Sequence, residues 1–177
     1  MSIETLEPLL AAVTANVHAK GWRLSGVQKT TSYEYEGPWE GSALRSAYAF
    51  FHRGADPEGV GPSVEVFIDE TEEGVDGALS LLLQGPALGE EPDVPALVSL
   101  AVELAAQSLP REMPAPISVT YSHPGRKLPD SATAKVRFKG KIPRSAAEAG
   151  TAAVDAVLNT TFESFQDVLH RWPYQKP

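Results

Sequence analysis

Four histidines, His18, His52, His123 and His170, are the side chains best suited to move protons near neutral pH or to ligate a metal. They fall in four different predicted elements, and no pair has the spacing of a local metal site. A surface or packing role is the expectation for each. His52 is the one for which a mechanism can be written, because it stands beside Arg53 at a strand end, where Asp69 or Glu65 of the next strand could orient it as an acid–base pair. No nucleophile accompanies it. The chain has no G-x-S-x-G elbow, and Gly59-Val60-Gly61 does not run into a phosphate-binding loop before a helix.

Two charged clusters could bind ions or anionic partners. Asp69-Glu70-Thr71-Glu72-Glu73 and Asp76 lack the glycine-centred loop and terminal bidentate glutamate of a calcium site, so a solvated hairpin tip is expected. Lys135, Arg137, Lys139 and Lys141 alternate along one strand and so share one side of it, a candidate electrostatic surface for an anionic peptide or nucleic acid. The competing explanation is a lysine-rich edge strand that blocks edge-to-edge aggregation. Phe138 alternates out of phase with these cations, so stacking and charge would fall on opposite faces, which weakens a single-strand nucleic-acid surface. Catalytic residues, cofactors and metals are therefore all expected to be absent.

The elements that must position these residues belong to a chain of 177 residues, 42% of them hydrophobic, enough for one compact core. Residues 1–177 are expected to form one α+β domain, with halves 1–84 and 93–172 joined by a proline- and acid-rich linker, 85–92. The absence of cysteine excludes disulfides, thiolate catalysis and cysteine-ligated metals. Glu4 and Glu7 stand where a signal or transit peptide would carry basic residues, and apolar runs such as Leu81-Leu82-Leu83 are far short of the ~20 residues of a membrane span. A cytoplasmic, membrane-free protein is the expectation. The formal net charge of −8 argues against coating nucleic acid and favours a basic partner, unless it serves solubility alone.

Periodicity supplies the elements. Leu6, Leu9, Leu10, Val13 and Val17 make a helix ended by Gly21, where a left-handed residue is wanted. An antiparallel meander of three to four strands follows: Trp22 to Tyr35 in part, Leu44 to Arg53, Ser63 to Asp69, and Ala78 to Gln84. Turns are expected at Gly37-Pro38, 55–62 and 72–77. In the third strand Val64, Val66 and Ile68 face one way and Glu65, Phe67 and Asp69 the other, leaving one face wet, with Phe67 expected beneath a helix or against a partner.

Asp93 caps a second helix that Pro110 ends, and Ile117–Tyr121 and Ala132–Gly140 form a β-hairpin. Ser145 and Glu148 make a capping box for a long C-terminal helix. Spanning 146–171, it would measure roughly 39 Å at ~1.5 Å per residue. Its stripe of Phe162, Phe165, Leu169 and Trp172 is a candidate dimer or partner interface, although burial in the chain's own core is the stronger expectation for each.

This order of helix, meander, helix, hairpin and long helix resembles the YbjN family and the class I chaperones of type III secretion. The resemblance covers nearly the whole chain but is architectural, with no diagnostic motif, and 22–39 adds a strand or loop to the pattern. It implies a type III secretion chaperone-like fold and a homodimer that holds an extended segment of a client protein, with no catalytic residues to carry over. The acidic balance adds a basic client, such as a nucleic-acid-binding stress-response or DNA-repair factor. Two readings result: a non-enzymatic, dimeric, chaperone-like adaptor, and a small-molecule-binding domain or enzyme with a pocket around His52, Asp69 and Tyr48.

Overall fold

The computed structural model describes residues 6–30, 45–53, 61–71, 74–84, 88, 92–108, 117–123, 132–143 and 152–172. Along the chain these form α1 (Leu6–Ala19), β1 (Trp22–Thr30), β2 (Ser46–Arg53), β3 (Ser63–Glu70), β4 (Gly74–Gln84), α2 (Val94–Ser108), β5 (Ile117–Ser122), β6 (Thr133–Pro143) and α3 (Ala152–Arg171). Among the described residues the architecture is α+β, with three helices and one six-stranded sheet in the order β1-β2-β3-β4-β6-β5, antiparallel at every pairing.

Local chemistry explains the helix ends. After the last turn of α1 the Lys20 amide donates to Val17 O and the Gly21 amide to His18 O, and Gly21 takes φ 86°, which glycine adopts without a Cβ penalty. At α2 the Asp93 carboxylate accepts the Ala96 amide at 3.0 Å, the cap its sequence position predicts. Pro95 sits in the first turn, where no amide is required.

Alternation then sorts the sheet into two faces. Ala47, Ala49 and Phe51 of β2, Val64, Val66 and Ile68 of β3, Leu79, Leu81 and Leu83 of β4, and Ala134, Val136 and Phe138 of β6 share one buried cluster with residues of all three helices. α3 is tied to both other helices. Lys20, just past α1, donates to Asn159 at 2.6 Å, and Glu103 of α2 pairs with Arg171. No described helix is long and apolar enough to cross a membrane.

Several boundaries differ from the sequence expectation. β4 begins at Gly74, inside the expected 72–77 turn, because its first residues pair on both sides, Val75 with Glu70 of β3 and with Ile142 of β6. β6 likewise continues to Pro143. The extra element expected in 22–39 is β1, paired with β2 along its length, and 31–39 lie outside the described residues. Leu88, within the segment read as a linker, is buried in the core. The described part of α3 has 20 residues, about 30 Å, and the Ser145–Glu148 capping box lies outside the described residues.

The largest difference concerns the basic strand. β6 is not a sheet edge at Lys135 or Arg137, since it lies between β4 and β5 from Thr133 to Phe138. Hairpin closure with β5 still leaves β6 one hydrogen-bonding side, and β4 takes it along its whole length. A defence against aggregation is not needed at an interior position.

Candidate functional site

Cross-strand register places the charged residues in bands. β3 carries Glu65, Asp69 and Glu70, β4 carries Asp76, and β6 carries Lys135, Arg137, Lys139 and Lys141. The acids and cations therefore meet across β4. Lys135 donates to Glu65 at 3.0 Å, and Asp76 stands opposite Lys141, whose side chain lies outside the described residues. Arg137 reaches the Phe67 ring, its guanidinium carbon 6.0 Å from the centroid, and Lys139 is exposed opposite Ala78.

The acids expected at a solvated tip have partners of their own. Ser46 donates to buried Asp69 at 2.5 Å, and Arg45 grips buried Glu70 through Nε at 3.1 Å and Nη2 at 3.2 Å. Glu72 and Glu73 lie outside the described residues. Among the described residues no three His, Asp or Glu side chains converge as a metal site.

The face turned away from the helices is dry at its centre rather than uniformly wet. Phe67 and Tyr48 stack with ring centroids 4.8 Å apart and bury Ala78 beside them in a cluster separate from the main core. Phe67 is thus not beneath a described helix, because strand parity turns it the other way.

His52 does not gain the acid partner expected for it. It stands opposite Ser63 and Arg23, Glu65 is opposite Phe50 and bound by Lys135, and Asp69 is opposite Ser46 at the far end of β2. At ~3.3 Å per residue the His52 and Asp69 positions are roughly 20 Å apart, too far for an acid–base pair.

Three of the four interface candidates at the end of the last helix are buried within the chain. Phe165, Leu169 and Trp172 are buried in the main core, and Phe165 meets Phe138 with centroids 5.4 Å apart. The Phe162 side chain lies outside the described residues.

What remains on the surface is elsewhere. Among the described residues five large apolar side chains are exposed: Leu24 (42%), Val27 (41%), Phe50 (37%), Val98 (38%) and Val102 (51%). The first three gather on the outer two strands, and the last two form an i, i+4 pair on α2.

A bulge creates the outer group. Leu24 pairs with Phe51 and Gly26 with Phe50, so Ser25 is the extra residue, and its hydroxyl donates to Phe50 O at 2.9 Å. The shift brings Leu24 and Val27, three residues apart, onto the same face as core residues Phe51 and Ala49. Phe50 projects on the other face over Gly26, where an added Cβ would come within 4.0 Å of its ring. β1 is a terminal strand of the sheet, and apart from Trp22 and Gly26 its residues from Arg23 to Lys29 are exposed. The only signal in the sequence was the break in period-two alternation at Ser25-Gly26.

The fold and site thus define an α+β protein with an apolar, bulged outer strand. No protein-family model matches the chain, and no curated protein or solved structure is significantly similar to it.

Proposed function

We propose that this chain is a non-enzymatic, dimeric, chaperone-like adaptor that binds an extended segment of a client protein along β1. The observation that carries the reading is the outer strand itself, a terminal position in the sheet with Leu24 and Val27 exposed on one face and Phe50 on the other. An extended segment laid on such an edge gains main-chain hydrogen bonds, while alternate side chains bury against apolar residues of both faces.

Dimerisation is part of the resemblance to the secretion chaperones. With Phe165, Leu169 and Trp172 inside the core, the described apolar surface that suits a second copy is the Val98 and Val102 ridge of α2. The competing reading, chemistry around His52, has lost the acid partner that motivated it.

The test compares the wild type with Leu24→Ser/Val27→Ser in affinity capture from the native lysate at low and moderate salt. Both replaced side chains are exposed, so the double variant should unfold at nearly the wild-type temperature. A stoichiometric partner held by the wild type and lost by the folded variant supports the adaptor. A partner retained equally by both, or no specific partner, overturns it.

A further inference from the structure

We infer that a second copy of this chain docks at the β5 end of the sheet, strand β5 beside strand β5 and helix α2 beside helix α2. This deepens the dimer of the reading above and rests on that part of it alone, not on the client. β5 is the other terminal strand of the sheet, and its six residues, Ile117–Ser122, carry no charge, whereas β1 carries Arg23 and Lys29. An uncharged terminal strand lacks the lysines that keep edges apart.

The helix layer ends on the same side. α1 packs on β1, β2 and β3, α3 packs on β6 and on both other helices, and α2 packs on β5 and α3. Among the described residues α2 is therefore the outermost helix, over the outermost strand. Glu103, the one charged residue in α2, holds Arg171 of α3 at 3.2 Å and so marks the flank that faces α3. At ~3.6 residues per turn, the buried stripe of Leu97 and Ala101 lies between Glu103 on one flank and exposed Val98 and Val102 on the other. The two valines thus project away from α3, beyond the β5 end of the sheet.

Alternation makes the strand self-complementary. Two antiparallel copies related by a two-fold axis perpendicular to the sheet keep their faces, so residues of like parity stand opposite one another. In every such register hydroxyl meets hydroxyl, from Ser118, Thr120 and Ser122, and apolar meets apolar, from Ile117, Val119 and Tyr121. The same axis keeps both α2 helices in one layer and turns their valine flanks towards each other.

This two-tiered surface selects its occupant. An extended peptide added to β5 would leave Val98 and Val102 bare, whereas a second copy covers strand edge and helix flank together. An uncharged contact is also where two chains of formal charge −8 meet with least repulsion. Isologous pairing uses both β5 edges and closes at two copies, so it does not propagate into a filament.

The experiment is sedimentation equilibrium of the full chain over a range of concentrations, with thermal unfolding to show that each variant is folded. The wild type should be dimeric. Val98→Glu/Val102→Glu, at two exposed positions, should raise the dissociation constant at least about tenfold by setting carboxylates against each other. Ser118→Lys/Thr120→Lys, on the other face of the sheet, should do the same. Mixing that variant with Ser118→Glu/Thr120→Glu should restore a heterodimer, because these positions face one another across the axis.

A monomer at every concentration overturns the inference, and if that monomer still captures a client through Leu24 and Val27, client binding stands without it. A dimer that withstands both the α2 and the β5 variants overturns it as well, as does a dimer that dissociates only in Leu24→Ser/Val27→Ser. A dimer lost in both sets of variants, in a chain that captures no client, supports the inference while overturning the adaptor.

Discussion

Arg137 of β6 lies over the ring of Phe67 of β3, its guanidinium carbon 6.0 Å from the ring centroid, so the contact spans the intervening strand β4. It joins the meander to the hairpin on the face away from the helices. If this contact stabilises the fold, Phe67→Leu and Arg137→Met should be non-additive in urea unfolding. A double-mutant cycle should give a coupling of about 0.5–1 kcal/mol, and additivity would show that the two side chains are merely adjacent.

The Lys135–Glu65 pair makes a second link across β4, with side chains 33% and 20% exposed. Partial exposure limits its worth. Lys135→Met and Glu65→Gln should couple by about 0.5–1 kcal/mol, and salt should reduce that value. A coupling unchanged by high salt would contradict a solvent-screened pair.

Phe165 anchors α3 on the sheet through Phe138, fully buried at 0% exposure. Phe165→Ala should therefore cost about 3–5 kcal/mol, the range for removing a large buried aromatic side chain. The loss should be the same at low and high protein concentration, because the side chain packs within its own chain. A loss that shrinks as concentration rises would assign it to contact between subunits.

Gly21 ends α1 at φ 86°, yet an added Cβ there meets nothing within 4 Å. The cost of Gly21→Ala is thus conformational, about 1–2 kcal/mol in thermal or urea unfolding, and Gly21→Asn should lose less because asparagine tolerates the left-handed region. Equal losses for both would point to a different cause.

Much of the secondary structure was legible because its causes are local. The 3.6-residue stripe of α1, the Asp93 cap, the Gly21 stop and the period-two pattern of Val64, Val66 and Ile68 each act within a few residues. Strand ends were less legible. Gly74–Gly77 reads as a turn by composition, yet two neighbouring strands supply ladder partners for residues such as Val75 and Gly77. The candidate site was almost hidden, since the broken alternation between Leu24 and Val27 gains its meaning only when a bulge puts both on one face at the end of the sheet.

By itself the sequence determined the kinds and order of the elements, the absence of cysteine chemistry, and the faces of regularly alternating strands such as β3, because propensity, capping and side-chain alternation depend on near neighbours. Only the tertiary structure decided that β6 lies between β4 and β5 from Thr133 to Phe138, that Lys135 meets Glu65 of β3, that Phe165, Leu169 and Trp172 are core, and that β1 forms the outer strand. Those outcomes depend on which strands pair. Pairing is set by the closure of a shared core between residues distant in sequence, and neither periodicity nor composition within one segment contains that information.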